Sequence, residues 1–421
     1  MKIKALLILL GVVLLVGLLA FAGCGKKETP VTEEWQWPDR LIIATMGTTV
    51  GGYGASVAWS TPLGQDTGMT IRIIAEADVR LHEVWVRDGR VFTKSPHQNR
   101  AMLYANTGYA RRDWGPYQSR IWMAQGVAYW GYATLGDSGI TTPYDIKPGM
   151  KLLCITISED PQQVMVALLA WGNVDPKDIT WVPLSNPTQT AQFLMDGKGV
   201  ITYGFPQTPA YYEVEASPHK LRWIELDAEK DPEGAERYLS WYPYASFGVA
   251  TNAGVPSSEG VPMAVNISPM ITRAETDPEL VYRLVKWTDE NYDRFKDGAP
   301  QCQTMTTEYL VALAKEHYEP LHDGAVRYLE EKGLWTPELQ ARQDYNIAQL
   351  TKWTDAYKTA IEMADDQGIV VNPDNKDWQT LWEGYRASLN LPLLMMGQGP
   401  GKEQPTYASY YTRWNEVKPF K

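Results

Sequence analysis

The chain has 421 residues, enough for two domains and a tail, and its 44% apolar content is that of a globular protein. A formal charge of −11 excludes nucleic acid as an expected partner; it leaves an anionic ligand open, because local fields decide that. There are three cysteines; after Cys24, Cys154 and Cys302 could pair outside the cell but make no disulfide framework or metal site, and isolated buried thiols are the expected state for these two.

Lys2 and Lys4 give a positive start, Ala5 to Ala22 is an almost unbroken apolar run, and Phe21-Ala22-Gly23-Cys24 ends it with small residues before a cysteine. This is a secretory signal, residues 1–23, with lipidation expected at Cys24. The alternative is an uncleaved anchor, since the run is about long enough to span a bilayer. Either way the folded part lies outside the cytoplasm, held to a membrane. Residues 24–38 are polar and contain Pro30, and read as a tether.

A first part of one lobe is expected over residues 39–135. Leu41, Ile42 and Ile43 suit a buried parallel strand. A Gly/Thr loop with Gly47, Thr48, Thr49, Gly51, Gly52 and Gly54 follows, and a helix is expected after it. Backbone N–H groups at such a helix start bind anions. No GK[ST] follows the glycines, so this is not a nucleotide loop, and no other cofactor signature is found. Met69–Ala75 alternates as a second strand, and Leu81–Asp88 is helical up to Gly89. Asp78 and Arg80 lie at the end of that strand, where open α/β sheets place ligands; a plain surface ion pair is the other reading. Met102–Asn106 reads as a third strand with Asn106 at a site edge. Ile121–Ala133, strongly apolar and aromatic, reads as strands crossing between lobes.

The second lobe is expected over 136–245. From Lys151 to Leu226 a strand–helix unit repeats three times: strands at 152–157, 179–182, 200–203 and 223–226, with Asp160 as a cap and Pro161 at the first helical position. Alternation of this kind means a parallel sheet with right-handed crossovers. Residues 246–335 read as a return crossing followed by helices, one opening at Asp277-Pro278. Residues 336–421 form a helical extension: a long amphipathic helix through Leu339, Leu350, Trp353 and Tyr357, a shorter one through Trp378 and Trp382, and an irregular arm from Gly397. Their apolar faces pack on the body or on a partner subunit.

Taken in this order, the chain resembles the TAXI family of solute-binding proteins that serve TRAP-type transporters. The resemblance covers about Arg40 to Trp335. Thr45–Tyr53 is similar to the family's G-[ST]-x-x-G-G-x-Y loop, with Tyr53 one residue early. Ser138-Gly139-Ile140 with Pro143–Gly149 is similar to the SGI…DLKGK turn, and Asp196-Gly197-Lys198 with Gly204–Pro209 to the DGK…GxPxP segment. Trp241–Tyr244 with Gly254-Val255-Pro256, and His322–Tyr328, follow in the family's order. Glu76–Leu81 stands where the family carries GGSVEN, and Ser158–Pro161 replaces its second Gly/Ser/Thr loop.

The resemblance implies a two-lobed α/β fold of the type II periplasmic-binding-protein kind, with no catalytic or metal site. It implies an extracytoplasmic receptor that closes on a small organic acid or amino acid and hands it to a TRAP permease. The first lobe would offer Thr48, Thr49, Gly52, Tyr53, Asp78, Arg80 and Asn106, and the second Ser158, Gln207 and Thr208. Arg80 is the natural fork for a carboxylate. The rival classes are a lipid-anchored hydrolase, for which there is no G-x-S-x-G and no HExxH among scattered histidines, and an adhesion or sensor module using the aromatic tail.

Overall fold

The apolar run at the start of the folded part makes β1 (Arg40–Thr45), and its period of two buries Leu41 and Ile43 on one side. β1 pairs in parallel with β2 (Thr70–Ala75) and β3 (Thr93–Lys94). The helices α1 (Gly51–Thr67) and α2 (Val79–Arg87) make the crossovers. The structure, a computed structural model, describes residues 35–48, 51–94, 100–106, 108–156, 159–186 and 189–420. The leader, Cys24, Thr49 and Ser158 lie outside these residues. Asp39–Lys421 forms one unit.

The aromatic stretch expected to cross between lobes is one strand, β4 (Ser119–Leu135), buried along most of its length. Its first part pairs antiparallel with β10 (Pro262–Arg273) and its last part with β7 (Ile201–Gly204) and β8 (Leu221–Trp223). The register shifts between Ile267 and Pro269, where proline offers the ladder no N–H. The first sheet therefore runs β2-β1-β3-β10-β4, and the second continues β4-β7-β5-β6. In the second, β5 (Lys151–Ile155) lies in parallel between β6 (Thr180–Leu184) and β7. This is the expected two-lobed α/β architecture. Two strand expectations are corrected. The last strand of the second lobe is Leu221–Trp223, and it pairs antiparallel with β4 instead of extending the parallel sheet. Met102–Asn106 is not a strand: Arg100–Leu103 forms one helical turn, α3, with the Tyr104 N–H donating to Arg100 O at 2.9 Å. A five-residue apolar run carries no period that separates the two.

In the second lobe α4 (Glu159–Trp171) follows β5 and packs on α7 (Pro232–Trp241), with α5 (Thr190–Met195) and α6 (Pro209–Ala216) between them in sequence. On the first lobe lie α8 (Pro278–Glu290), α9 (Thr307–Glu316) and α10 (Asp323–Glu331). β9 (Ser246–Val249) pairs with β10.

The extension holds α11 (Pro337–Asp366), capped by Thr336, and α12 (Lys376–Ser388), capped by Asn375. The expected irregular arm contains a third helix, α13 (Tyr407–Val417), capped by Thr406. Glycines and prolines just before Thr406 mask this start, but Tyr407, Tyr410 and Trp414 keep the helical spacing and are all buried. The apolar faces pack on the body: Trp353, Trp378, Trp382 and Trp414 join one continuous apolar core with Val164, Leu168 and Trp171 of α4. Arg342 donates to Ala314 O at 3.0 Å and His317 O at 2.9 Å, and Asn346 to His317 O at 3.0 Å. These bonds satisfy carbonyls in the last turn of α9 and just after it.

Candidate functional site

A cavity of about 810 Å³ is bounded by three parts of the chain. One wall is the α3 segment through Asn106. A second is the first turn of α4, which emerges from the carboxyl end of β5. A third is the extension, through α12 and α13.

Arg100 spans the first two walls. Its side chain is 6% exposed, and Nη2 donates to Asp160 Oδ1 at 2.8 Å and Oδ2 at 2.7 Å. Its guanidinium lies 3.5 Å from the centre of the Tyr244 ring, a cation–π contact. Burial opposes the Arg100 charge most strongly of any single cause, and the Asp160 carboxylate together with Tyr242, Tyr244 and Tyr318 outweighs it and keeps the group protonated. Arg100 Nη1 is buried and has no hydrogen-bond partner, and Gln163 lines the cavity beside it, next to Tyr411. A buried donor without a partner is costly.

The third wall is tied to the first. Arg386 Nη1 donates to Tyr104 O and to Asn106 Oδ1, both at 3.0 Å, and the Tyr407 hydroxyl donates to the same Oδ1 at 2.9 Å. The Arg386 guanidinium stacks 4.6 Å from the Tyr407 ring centre. Glu159, Asp160 and Glu383 add carboxylates to the lining. The cavity thus offers cations, anions and aromatic rings.

Of the residues expected from the sequence, Asn106 lines this cavity. Arg80 and Asp78 face each other: Nε donates to Oδ1 at 2.9 Å and Nη2 to Oδ2 at 2.7 Å, with the Arg80 side chain 47% exposed. Asp78 also caps α2 through the Arg80 N–H. The Arg80 guanidinium holds the Asp78 carboxyl below its usual range. Thr48 is exposed after β1, and Gly52 and Tyr53 are half-buried in the first turn of α1. Gln207 is exposed and Thr208 precedes α6. β1 adjoins β3 and β7 adjoins β5, so these loops share the sheet edges that carry the cavity walls. Asp160, expected as a cap, lies inside the first turn of α4, and its carboxylate faces Arg100.

Arg100, Gln163 and the whole third wall were not legible as site residues. Arg100 precedes an apolar run with no motif around it, and the extension lies beyond the segment that resembles a known family. Cys154 and Cys302 are free and buried, and burial pushes their thiols up to about 12 and about 11. Among the described residues, no three His, Cys, Asp or Glu side chains gather as a metal site would, and no helix is long and apolar enough to cross a membrane.

Compared with known proteins, residues 120–333 match the model of the NMT1-like family. No curated protein matches the chain. Among solved structures, it is similar to the putative periplasmic sulfonate-binding protein SsuA of Methylobacillus flagellatus KT, at 14% identity over 76% of this chain and 96% of that one, with a TM-score of 0.42. It is also similar to substrate-binding domain 2 of GlnP from Lactococcus lactis in its open conformation, at 11% identity over 64% and 97%, with a TM-score of 0.37. A YaeC-family lipoprotein of Enterococcus faecalis V583 is similar at 12% identity over 62% and 98%, with a TM-score of 0.36.

Proposed function

The chain belongs to the NMT1-like family, and on that premise we propose that it is an extracytoplasmic solute-binding receptor, of the TAXI type, that hands a small carboxylate-bearing solute to a TRAP permease. The observation that carries this reading is Arg100, a buried guanidinium in the wall of the cavity whose Nη1 has no hydrogen-bond partner. A carboxylate is the acceptor that best matches a guanidinium N–H. The order of family motifs from Thr45 to Tyr328 supports the TAXI assignment. In this reading Arg100 is the anchor, Gln163 and Asn106 add polar contacts, and Thr48, Gly52, Tyr53, Gln207 and Thr208 border the path to it. Arg80, with its fork engaged by Asp78, stands at the margin. The protein binds and releases its solute without transforming it. The charged start, apolar run and Cys24 support a lipid anchor after cleavage of residues 1–23. The lobes are proposed to comprise 39–135 with 246–335, and 136–245, with 336–421 as the extension.

Ligand binding raises the unfolding temperature by mass action, by about 2.7 kcal/mol of stability at a hundredfold excess over Kd. A thermal-shift panel of small carboxylates, amino acids and their neutral amides tests the reading. At least one carboxylate raises the midpoint, and its amide does not. A panel in which the neutral forms stabilise as well as the acids contradicts it.

A further inference from the structure

The extension holds both lobes at once. Toward the first lobe, Trp382 and Trp378 of α12 donate their indole N–H groups to Ala105 O at 3.0 Å and Ala110 O at 2.8 Å. Toward the second lobe, the Tyr410 hydroxyl of α13 donates to Trp241 O at 2.5 Å, and Arg413 donates to Ser240 O while stacking 4.2 Å from the Trp241 ring centre. Trp241 ends α7, which packs on α4 of the second lobe. Between the two helices, neighbouring residues part company: the Met396 N–H donates to Pro243 O at 2.9 Å, just past α7, and the Gly397 N–H to Glu316 O at 2.7 Å, at the end of α9. The Arg100–Asp160 pair crosses the same gap from inside.

A hinge motion that separates Asp160 from Arg100 must also strip α13 from α7 or α12 from the segment at 105–110. We infer that residues 376–417 are a strap that holds the two lobes close to their present arrangement. The solute then enters through the open side of the cavity, with little movement of the lobes. Binding gains from this, because apparent affinity falls with the fraction of molecules held in the competent state. That consequence rests on the receptor reading; the strap itself does not.

The test needs no solute. Spin labels are placed at two exposed helix positions, T61C on α1 and E213C on α6, in the full chain with Cys24→Ser; Cys154 and Cys302 are fully buried and stay unlabelled. Electron–electron double resonance then reads the separation of the lobes. The otherwise unchanged protein gives one narrow distance population. Tyr410→Phe with Arg413→Ala, checked for a cooperative unfolding transition, gives a second population of open lobes, and Arg413→Ala alone gives a smaller share of it. A broad or double distribution with the strap intact overturns the inference, as does a distribution unmoved by both variants. Failure here leaves the receptor reading standing, and a failed solute panel leaves the strap standing.

Discussion

Replacing Arg100 with alanine removes the cation at the centre of the cavity. Its guanidinium is 6% exposed, so the solute carboxylate it meets is shielded from water. Truncating one partner of such a pair costs about 2–5 kcal/mol. At about 1.4 kcal/mol per tenfold, that is a loss of affinity from about thirtyfold to thousands. Stability falls far less. Asp160 is 53% exposed and rehydrates once Arg100 is gone, so the lost ion pair itself contributes little. What is lost is the contact with the Tyr244 ring, worth about 1–2 kcal/mol, and some packing. Arg100→Lys keeps the charge, but a single ammonium cannot hold both Asp160 oxygens and the solute in the geometry of the fork, so it recovers part of the affinity. Calorimetry with the carboxylate that stabilises the protein, run beside thermal unfolding, reads both effects. An alanine variant that folds and binds as tightly as the unaltered protein refutes the reasoning.

Arg80→Ala leaves the backbone cap of α2 on Asp78 in place, so stability shifts by about 0.5 kcal/mol or less and solute affinity by less than threefold; calorimetry decides this against Arg100→Ala. His317 is buried and neutral, its Nδ1 accepting the Glu319 N–H at 3.1 Å, and burial, with Arg342, Arg100 and Lys94 nearby, pushes its pKa down to about 3. The unfolded chain takes up this proton below about pH 6.5. Its contribution is therefore full above that value and declines as pH falls toward 3, and His317→Gln flattens the acid limb of a denaturant-measured stability profile. Cys154 and Cys302, buried and with raised thiol pKa values, stay unreactive to a thiol reagent at neutral pH until the protein unfolds; rapid labelling of the native state would contradict their placement.

Strong local patterns in the sequence survived into the structure. The apolar run at Leu41–Ile43, the aromatic crossing at Ile121–Ala133 and, up to its last strand, the alternation from Lys151 to Leu226 each state their period or their burial directly. Three features did not survive, each for a physical reason. Met102–Asn106 was too short to show a period, and a turn of helix uses the same residues. The start of α13 was hidden because Gly and Pro before Thr406 also signal an arm. The strand expected at 223–226 begins at Leu221 and pairs antiparallel with β4, a long-range pairing that leaves no local mark. Arg80 follows a strand end, and its fork meets a carboxylate two residues away. Arg100 had the opposite history. Its role depends on Asp160, sixty residues later, and on helices from the last part of the chain, and such long-range encounters leave no local mark.

The most direct measurement is an X-ray structure of the protein grown with the stabilising carboxylate. The carboxylate is expected between the lobes, within hydrogen-bond distance of the Arg100 guanidinium, with Gln163 and the α13 wall around it. A solute seated elsewhere, or bound in this cavity with a neutral group against Arg100, would contradict that expectation.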